Sequence, residues 1–217
     1  MQLIPSLNAI LQRDKTTYAI VPRIPGGLLS RDHLESITKV VKKYDIPIVK
    51  ITSGQRIALV GLQEKDLLAI YEDLGMDPGK ATELCLHYVQ ACPGTEVCKF
   101  GVRDSLGFGI MLENLLAGRE FPAKLKVGVS GCQFCCGENF VRDIGVMGKK
   151  NGWTISFGGN SGNHTRIGDI LAENVTDGEA IDLINKCLDF YRKNARKKER
   201  TSRFIERFGL EDFKKKL

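Results

Sequence analysis

Nowhere does this chain carry an apolar run long enough to span a bilayer, which excludes a helical membrane protein. Its start, Met1-Gln2-Leu3-Ile4-Pro5, has neither the basic opening nor the sustained apolar stretch of a secretory leader. No G-x-G-x-x-G run follows a predicted strand into a helix, so no flavin or nicotinamide motif is present. The body of the chain offers no recognisable nucleic-acid module, no internal repeat and no low-complexity segment apart from a basic tail. Its cysteines do not form a disulfide framework either: seven is an odd number, and 217 residues can build a core without staples. These absences predict a soluble protein of the reducing cytoplasm that binds neither membrane nor nucleic acid. Its length suits one large domain or two small ones.

What is present centres on sulfur. Cys92-Pro-Gly-Thr-Glu-Val-Cys98 has C-x5-C spacing, and Cys132-Gln-Phe-Cys-Cys136 supplies C-x3-C between its outer members. Four thiolates from two distant loops can hold one iron–sulfur cluster, which is ordinarily carried on four cysteines. Two rivals exist. Zinc favours short knuckles, which Cys132 and Cys135 would satisfy but Cys92 and Cys98 would not. A redox dithiol would rest on Cys132 and Cys135 alone, without the helix start that usually follows such a motif. Cys85 and Cys187 lie in apolar stretches and read as small buried hydrophobes. Cys135 is either a spare thiol beside the cluster or a substitute ligand. Much of the glycine, 23 residues in all, clusters near these cysteines and in Gly158-Gly159-Asn160-Ser161-Gly162, serving either close approach to a bulky ligand or tight turns.

The net charge of +6 is unevenly spread. From Arg192 to Leu217 there are eleven basic and four acidic residues, a local +7, which leaves the rest of the chain at −1. This tail reads either as a solvated helix face or as a docking surface for an acidic partner protein.

A strand at Tyr18 to Val21 leads to a helix capped by Ser30, with Leu34, Ile37, Val41 and Tyr44 on one face. Strands are predicted at 46–51 and 57–60, then a helix over 64–74. The order β-α-β-β-α is that of a split α/β sandwich. In the second part, Asp104 or Ser105 caps a helix running to Gly118, and Lys124 to Val129 is a strand delivering the second cysteine pair. Trp153 to Phe157 is another strand, and Thr176 with Glu179 forms a capping box before a helix bearing Ile181, Ile184, Leu188 and Tyr191.

The paired cysteine motifs, with Lys124-Leu-Lys126 before the second, resemble those of the sulfite and nitrite reductases that couple sirohaem to a 4Fe-4S cluster. Further points of resemblance are Thr52-Ser-Gly-Gln-Arg56, Cys98-Lys-Phe-Gly-Val-Arg-Asp-Ser105, and Trp153 to Gly162 with Arg166. The likeness runs through nearly the whole chain in the same order. Larger members contain two copies of the module; this chain has one, and is most similar to the small anaerobic, assimilatory-type sulfite reductases.

The resemblance implies an α+β protein: a ferredoxin-like split α/β half-module over 1–76, then an α/β sirohaem and 4Fe-4S domain over 77–217 with a basic C-terminal helix. It implies six-electron reduction of sulfite to sulfide, or of nitrite to ammonia, using electrons from an acidic donor protein such as ferredoxin. A non-catalytic electron-transfer subunit is the alternative. By the same resemblance Cys92, Cys98, Cys132 and Cys136 hold the cluster, with Cys136 shared by the haem iron. Lys124 and Lys126, on one face of a strand, flank the bound anion, and Arg56 stands near substrate; His87 either donates to substrate or to a haem carboxylate, or merely packs. Arg103 and Arg166 pair with sirohaem carboxylates, and Gly158, Gly159 and Asn160 line the cofactor. Two positions depart from the larger members' pattern: Gly54 and His87 each stand where an arginine is usual. A single copy also exposes a sheet edge that its twin would cover, which predicts a homo-oligomer.

Overall fold

The computed structural model of the chain describes residues 3–4, 8–80 and 83–217. It divides into two compact units, 1–82 and 83–217, each with its own core.

The first unit contains strands β1 (Leu3–Ile4), β2 (Ala9–Leu11) and β3 (Tyr18–Ile20), helix α1 (Arg31–Lys43), strands β4 (Ile48–Ile51) and β5 (Ile57–Leu62), and helix α2 (Leu67–Leu74). Its sheet runs β1-β2-β3-β5-β4 with every pairing antiparallel. Helix α1 begins where the sequence says it should. The Ser30 hydroxyl accepts from the His33 N–H at 3.1 Å, and His33 Nδ1 accepts from Ser30 N–H at 3.3 Å. Ile37 and Val40 of α1 and Leu67, Ile70, Tyr71 and Leu74 of α2 share one core with Ile20 and Leu59 of the strands. Strand β4 is one edge, and its apolar side chains are largely in solvent, with Ile51 72% exposed.

The second unit contains β6 (Leu86–Ala91), α3 (Ser105–Leu116), β7 (Leu125–Ser130), β8 (Ile144–Lys149), β9 (Gly152–Phe157), β10 (Asp169–Val175), α4 (Asp177–Asn194), α5 (Thr201–Phe208) and α6 (Leu210–Lys214). Its sheet order is β10-β9-β8-β7-β6. Strands β6, β7 and β8 are parallel to one another, whereas β9 and β10 run antiparallel. The crossover β6-α3-β7 is a βαβ unit, started by the Asp104 carboxylate accepting from Gly107 N–H at 2.8 Å.

Along β7 the residues alternate. Leu125, Val127 and Val129 are fully buried in a core shared with α3, α4 and α5, while Lys126, Gly128 and Ser130 face the other side. The basic tail is not simply solvated. Phe204 and Phe213 are wholly buried in that core, and Phe213 stacks on Phe157 at 5.2 Å between centroids. Such ring pairs contribute about 0.5–1.5 kcal/mol each beyond area burial.

Candidate active site

Both cysteine motifs leave the carboxyl ends of neighbouring parallel strands, where α/β sheets commonly place their ligands. β6 ends at Ala91, one residue before Cys92. β7 ends at Ser130, two before Cys132. The strands keep the loops in step: Cys92 N–H donates to Val129 O at 3.0 Å, and Gly131 O accepts from Val102 and Arg103 at 2.9 and 3.1 Å. Gly131 N–H also donates to Cys92 Sγ at 3.1 Å, and the buried Ser105 hydroxyl stands 3.1 Å from the same sulfur.

The second cysteine loop is pressed flat onto the sheet. A Cβ on Gly128 would lie 2.3 Å from Gly137 O and 2.9 Å from Asn139 Cα, and one on Gly137 would lie 2.3 Å from Val129 O. Only glycines permit that approach. Gly137 N–H donates to Ser130 Oγ, and Ser130 Oγ donates to the buried Asn139 Oδ1. Cys136 is thereby held at the surface beside its fellows. Its thiol sits above its ordinary value, first through desolvation and then through Cys92, Cys132, Cys98 and Cys135 around it. The structure therefore gathers all five cysteines of the two motifs, while Cys85 and Cys187 are buried apart as small hydrophobes. Among the described residues no three His, Cys, Asp or Glu side chains close tightly enough to hold a single metal ion. A cubane cluster makes a different demand, since each of its four cysteines binds a different iron.

On the same sheet face lies a cationic group. Lys126 is half-buried, and its ammonium is held below its ordinary value by burial first, then by Lys124, Arg142 and Arg200, against the pull of Asp143. Lys126 and Arg142 both lie over the Tyr88 ring, at 5.6 and 5.7 Å from its centroid. Arg142 is buried. It donates to Gln90 Oε1 at 2.8 Å, to Ser161 Oγ at 2.9 Å and to Glu138, two residues beyond Cys136, while its Nε has no partner. Beneath it, Asp143 is fully buried and accepts from Arg200, Thr201 Oγ1 and Lys126 N–H. Arg142 and Arg200 are the residues that reasoning from sequence passes over. A weak signal exists for Arg142, which follows the last cysteine by six positions. None exists for Arg200, 57 residues from its partner.

The other expected site residues have definite places. Lys124 is exposed just before β7. The Arg103 guanidinium donates to Lys149 O and Lys150 O at 3.1 and 3.2 Å. Arg166 donates to Asp169 at 2.5 Å and to Gly158 O at 3.1 Å, and its backbone pairs with Asn160. The loop of Gly158, Gly159 and Asn160 packs on the segment carrying Arg142, with Gly159 against the carbonyls of Phe140 and Arg142. His87 is buried in β6 with Nε2 at 2.8 Å from Glu83 O. Arg56 belongs to the first unit, where it donates to Lys80 O at 2.9 Å.

Sulfurs gathered at a sheet's carboxyl edge, beside a positively charged face, define an iron–sulfur oxidoreductase class. The chain belongs to the nitrite and sulphite reductase family. Residues 84–217 match the nitrite and sulphite reductase 4Fe-4S domain, and residues 10–76 match the nitrite/sulfite reductase ferredoxin-like half domain. It is 56% identical over 204 residues to an assimilatory-type sulfite reductase of Nitratidesulfovibrio vulgaris, covering 94% of both chains. It is 42% identical to a nitrite reductase [NAD(P)H] of Bacillus subtilis, covering 94% of this chain but 25% of that one. The fold is shared with dissimilatory sulfite reductase I at a TM-score of 0.83 and 14% identity, covering 92% of this chain and 68% of that one.

Proposed function

We propose that this protein reduces sulfite to sulfide at sirohaem coupled to a 4Fe-4S cluster. The observation that carries the reading is the cationic face formed by Lys124, Lys126, Arg142 and Arg200 on the same sheet face as the loop of Cys136. Cys92, Cys98, Cys132 and Cys136 would hold the cluster, with Cys136 shared by the macrocycle. The donor set fits both groups. Gly131 N–H and the Ser105 hydroxyl already surround one thiolate sulfur, and a polycarboxylate macrocycle suits a face rich in lysine and arginine. The macrocycle would supply the iron at which the anion is reduced.

Bisulfite takes up six electrons and six protons to give hydrosulfide and three waters. Lys124 and Lys126 attract the anion and offset charge that grows as S–O bonds break. A lysine whose pKa is lowered also releases its proton more readily, so Lys126 suits proton delivery. Burial first, then Lys124, Arg142 and Arg200, keep that pKa low. Arg56, His87, Arg103 and Arg166 are proposed to meet substrate or cofactor carboxylates, and Gly158, Gly159 and Asn160 to line the cofactor.

Reduction of nitrite to ammonia is the second reading, favoured by the nitrite reductases among the relatives and by the Gly54-Gln55-Arg56 loop. Electrons come from a separate acidic protein such as ferredoxin. Self-association runs through the exposed β4 edge. Seven free cysteines suit the cytoplasm, and among the described residues no helix is long and apolar enough to cross a membrane.

The test is an absorption spectrum with and without sulfite, combined with sulfite-dependent oxidation of reduced methyl viologen. A haem-like spectrum perturbed by sulfite, and steady turnover, are expected. Iron and sulfide without a tetrapyrrole would refute the enzyme and leave an electron carrier.

A further inference from the structure

We propose that an aromatic and lysine surface beside the cysteine loops is the landing site for a small acidic electron-transfer protein. The inference rests on the reading that electrons arrive from a separate donor. Around Cys98 and Cys132, large apolar side chains stand in solvent: Val97 at 81%, Phe134 at 61%, Phe100 at 52% and Val102 at 39%. Phe134 sits within the second cysteine motif, and Phe100 lies two residues after Cys98. Their rings meet edge to face at 5.3 Å. A cavity of about 280 Å³ opens here, lined by Phe100, Val102, Cys132, Phe134, Lys149 and Lys150. Grouped exposed apolar side chains of this kind mark interaction surfaces.

The rim is positive. Lys99 Nζ lies 4.9 Å from the Phe100 ring centroid, and Lys149 and Lys150 occupy the β8–β9 turn. Arg103 holds that turn by both of its carbonyls, so the two ammonium groups are presented from a fixed backbone. Glu96 and Asp104, the acids nearby in sequence, set two negative charges against those of Lys99, Arg103, Lys149 and Lys150, which leaves the rim positive. The patch thus joins an apolar centre to a cationic rim, with Cys132 in the lining of its cavity.

Charge chooses the occupant. A second copy seated by a twofold would place these lysines against themselves, whereas an acidic protein is drawn in and oriented by them. The basic run at 192–200 is the competing surface. Part of its charge is already paired within the fold, by Asp143 on Arg200 and by Asp189 on Arg192.

The experiment titrates an acidic 2Fe-2S ferredoxin into the holoprotein and measures Kd at two salt concentrations, together with kcat/KM for the reduced ferredoxin. Lys149→Glu/Lys150→Glu is expected to weaken binding and lower kcat/KM at least tenfold, and to flatten the salt dependence. Turnover with reduced methyl viologen should stay unchanged. Lys197→Glu/Lys198→Glu should leave ferredoxin binding within twofold. No binding by the wild type, or a Kd moved only by the Lys197/Lys198 variant, overturns the proposal. Loss of viologen-driven sulfite reduction in the wild type strikes the enzymatic reading instead, and the binding titration still decides the docking.

Discussion

Replacing Arg200 by methionine should destabilise the second unit by about 3 kcal/mol, because it strands a buried carboxylate. Asp143 is fully buried, and Arg200 reaches it through Nε at 3.1 Å and Nη2 at 2.7 Å. Thr201 Oγ1 at 2.6 Å and Lys126 N–H at 2.9 Å would remain. Removing one partner of a buried pair costs about 3–5 kcal/mol. The Arg200 side chain is 21% exposed, so water can enter the space it leaves and the lower figure applies. For a unit of this size the melting temperature should fall by roughly 10 °C. The assay is urea unfolding of the apoprotein followed by the fluorescence of Trp153. That residue is the sole tryptophan, is 1% exposed, and donates to Asp177 at 2.7 Å. Asp143→Asn combined with Arg200→Met should lose at least about 1 kcal/mol less than the sum of the single changes. A shift below about 1 kcal/mol for Arg200→Met, or strict additivity in the cycle, would refute the claim that this arginine anchors the tail to the sheet.

Gly128→Ala pushes a Cβ against Gly137 O and Asn139 Cα; a loss of about 1–3 kcal/mol and a lower iron content per chain are expected from thermal melts and iron analysis. Lys126→Met should lower kcat for sulfite by about 10²–10³. Because burial and neighbouring cations lower the Lys126 pKa from its ordinary 10.5, its charged form opposes folding. That opposition is full below the folded pKa and fades as pH rises toward 10.5. The apoprotein of Lys126→Met should therefore be the more stable at neutral pH, with the gap closing toward pH 10.5 in urea titrations. Cys135→Ser should retain full iron and acid-labile sulfide, whereas serine at Cys92, Cys98, Cys132 or Cys136 should not; equal losses at Cys135 would make it a ligand.

The elements that announce themselves in sequence are those with local causes. Ser30 and the pair Thr176 and Glu179 form the caps their spacing suggests, and Asp104 rather than Ser105 takes the cap of α3. Strands β6, β8 and β10 are not legible in the same way. β6 and β8 are buried along almost their whole length, so they show no alternation. β8 also contains Gly145 and Gly148, which look like loop residues until the backbone packed on them is seen. The tail misleads because its lysines and arginines outnumber its phenylalanines, yet Phe204 and Phe213 decide where it lies. The cysteine motifs stand out by their spacing, whereas the Lys-x-Lys pair alone reads as an exposed strand edge and gains a role only through the family resemblance. Arg142 leaves only a weak trace, its distance from the cysteine motif, and Arg200 none, because a shared ring and a shared carboxylate, set by tertiary packing, bring them to Lys126.

Strand β7 accounts for how the second cysteine motif and the cationic group come to lie on one sheet face. Its carboxyl end delivers the second cysteine motif, and its amino end carries Lys126, about 13 Å back along the strand at roughly 3.3 Å per residue. Left alone, that separation would keep sulfur and positive charge apart. The loop after β7 removes it by turning back along the face: Cys136 comes first, then Glu138 and Arg142, and finally Asp143, whose carboxylate accepts from the Lys126 N–H. The turn needs a face without side chains in its path. Gly128 pairs with Gly145 across β7 and β8 at that point, and both lie against the returning backbone. A bulkier residue at either position would lift the segment that joins Cys136 to the cationic group. The glycines between the lysines and the cysteines thus determine whether sulfur and positive charge share one surface.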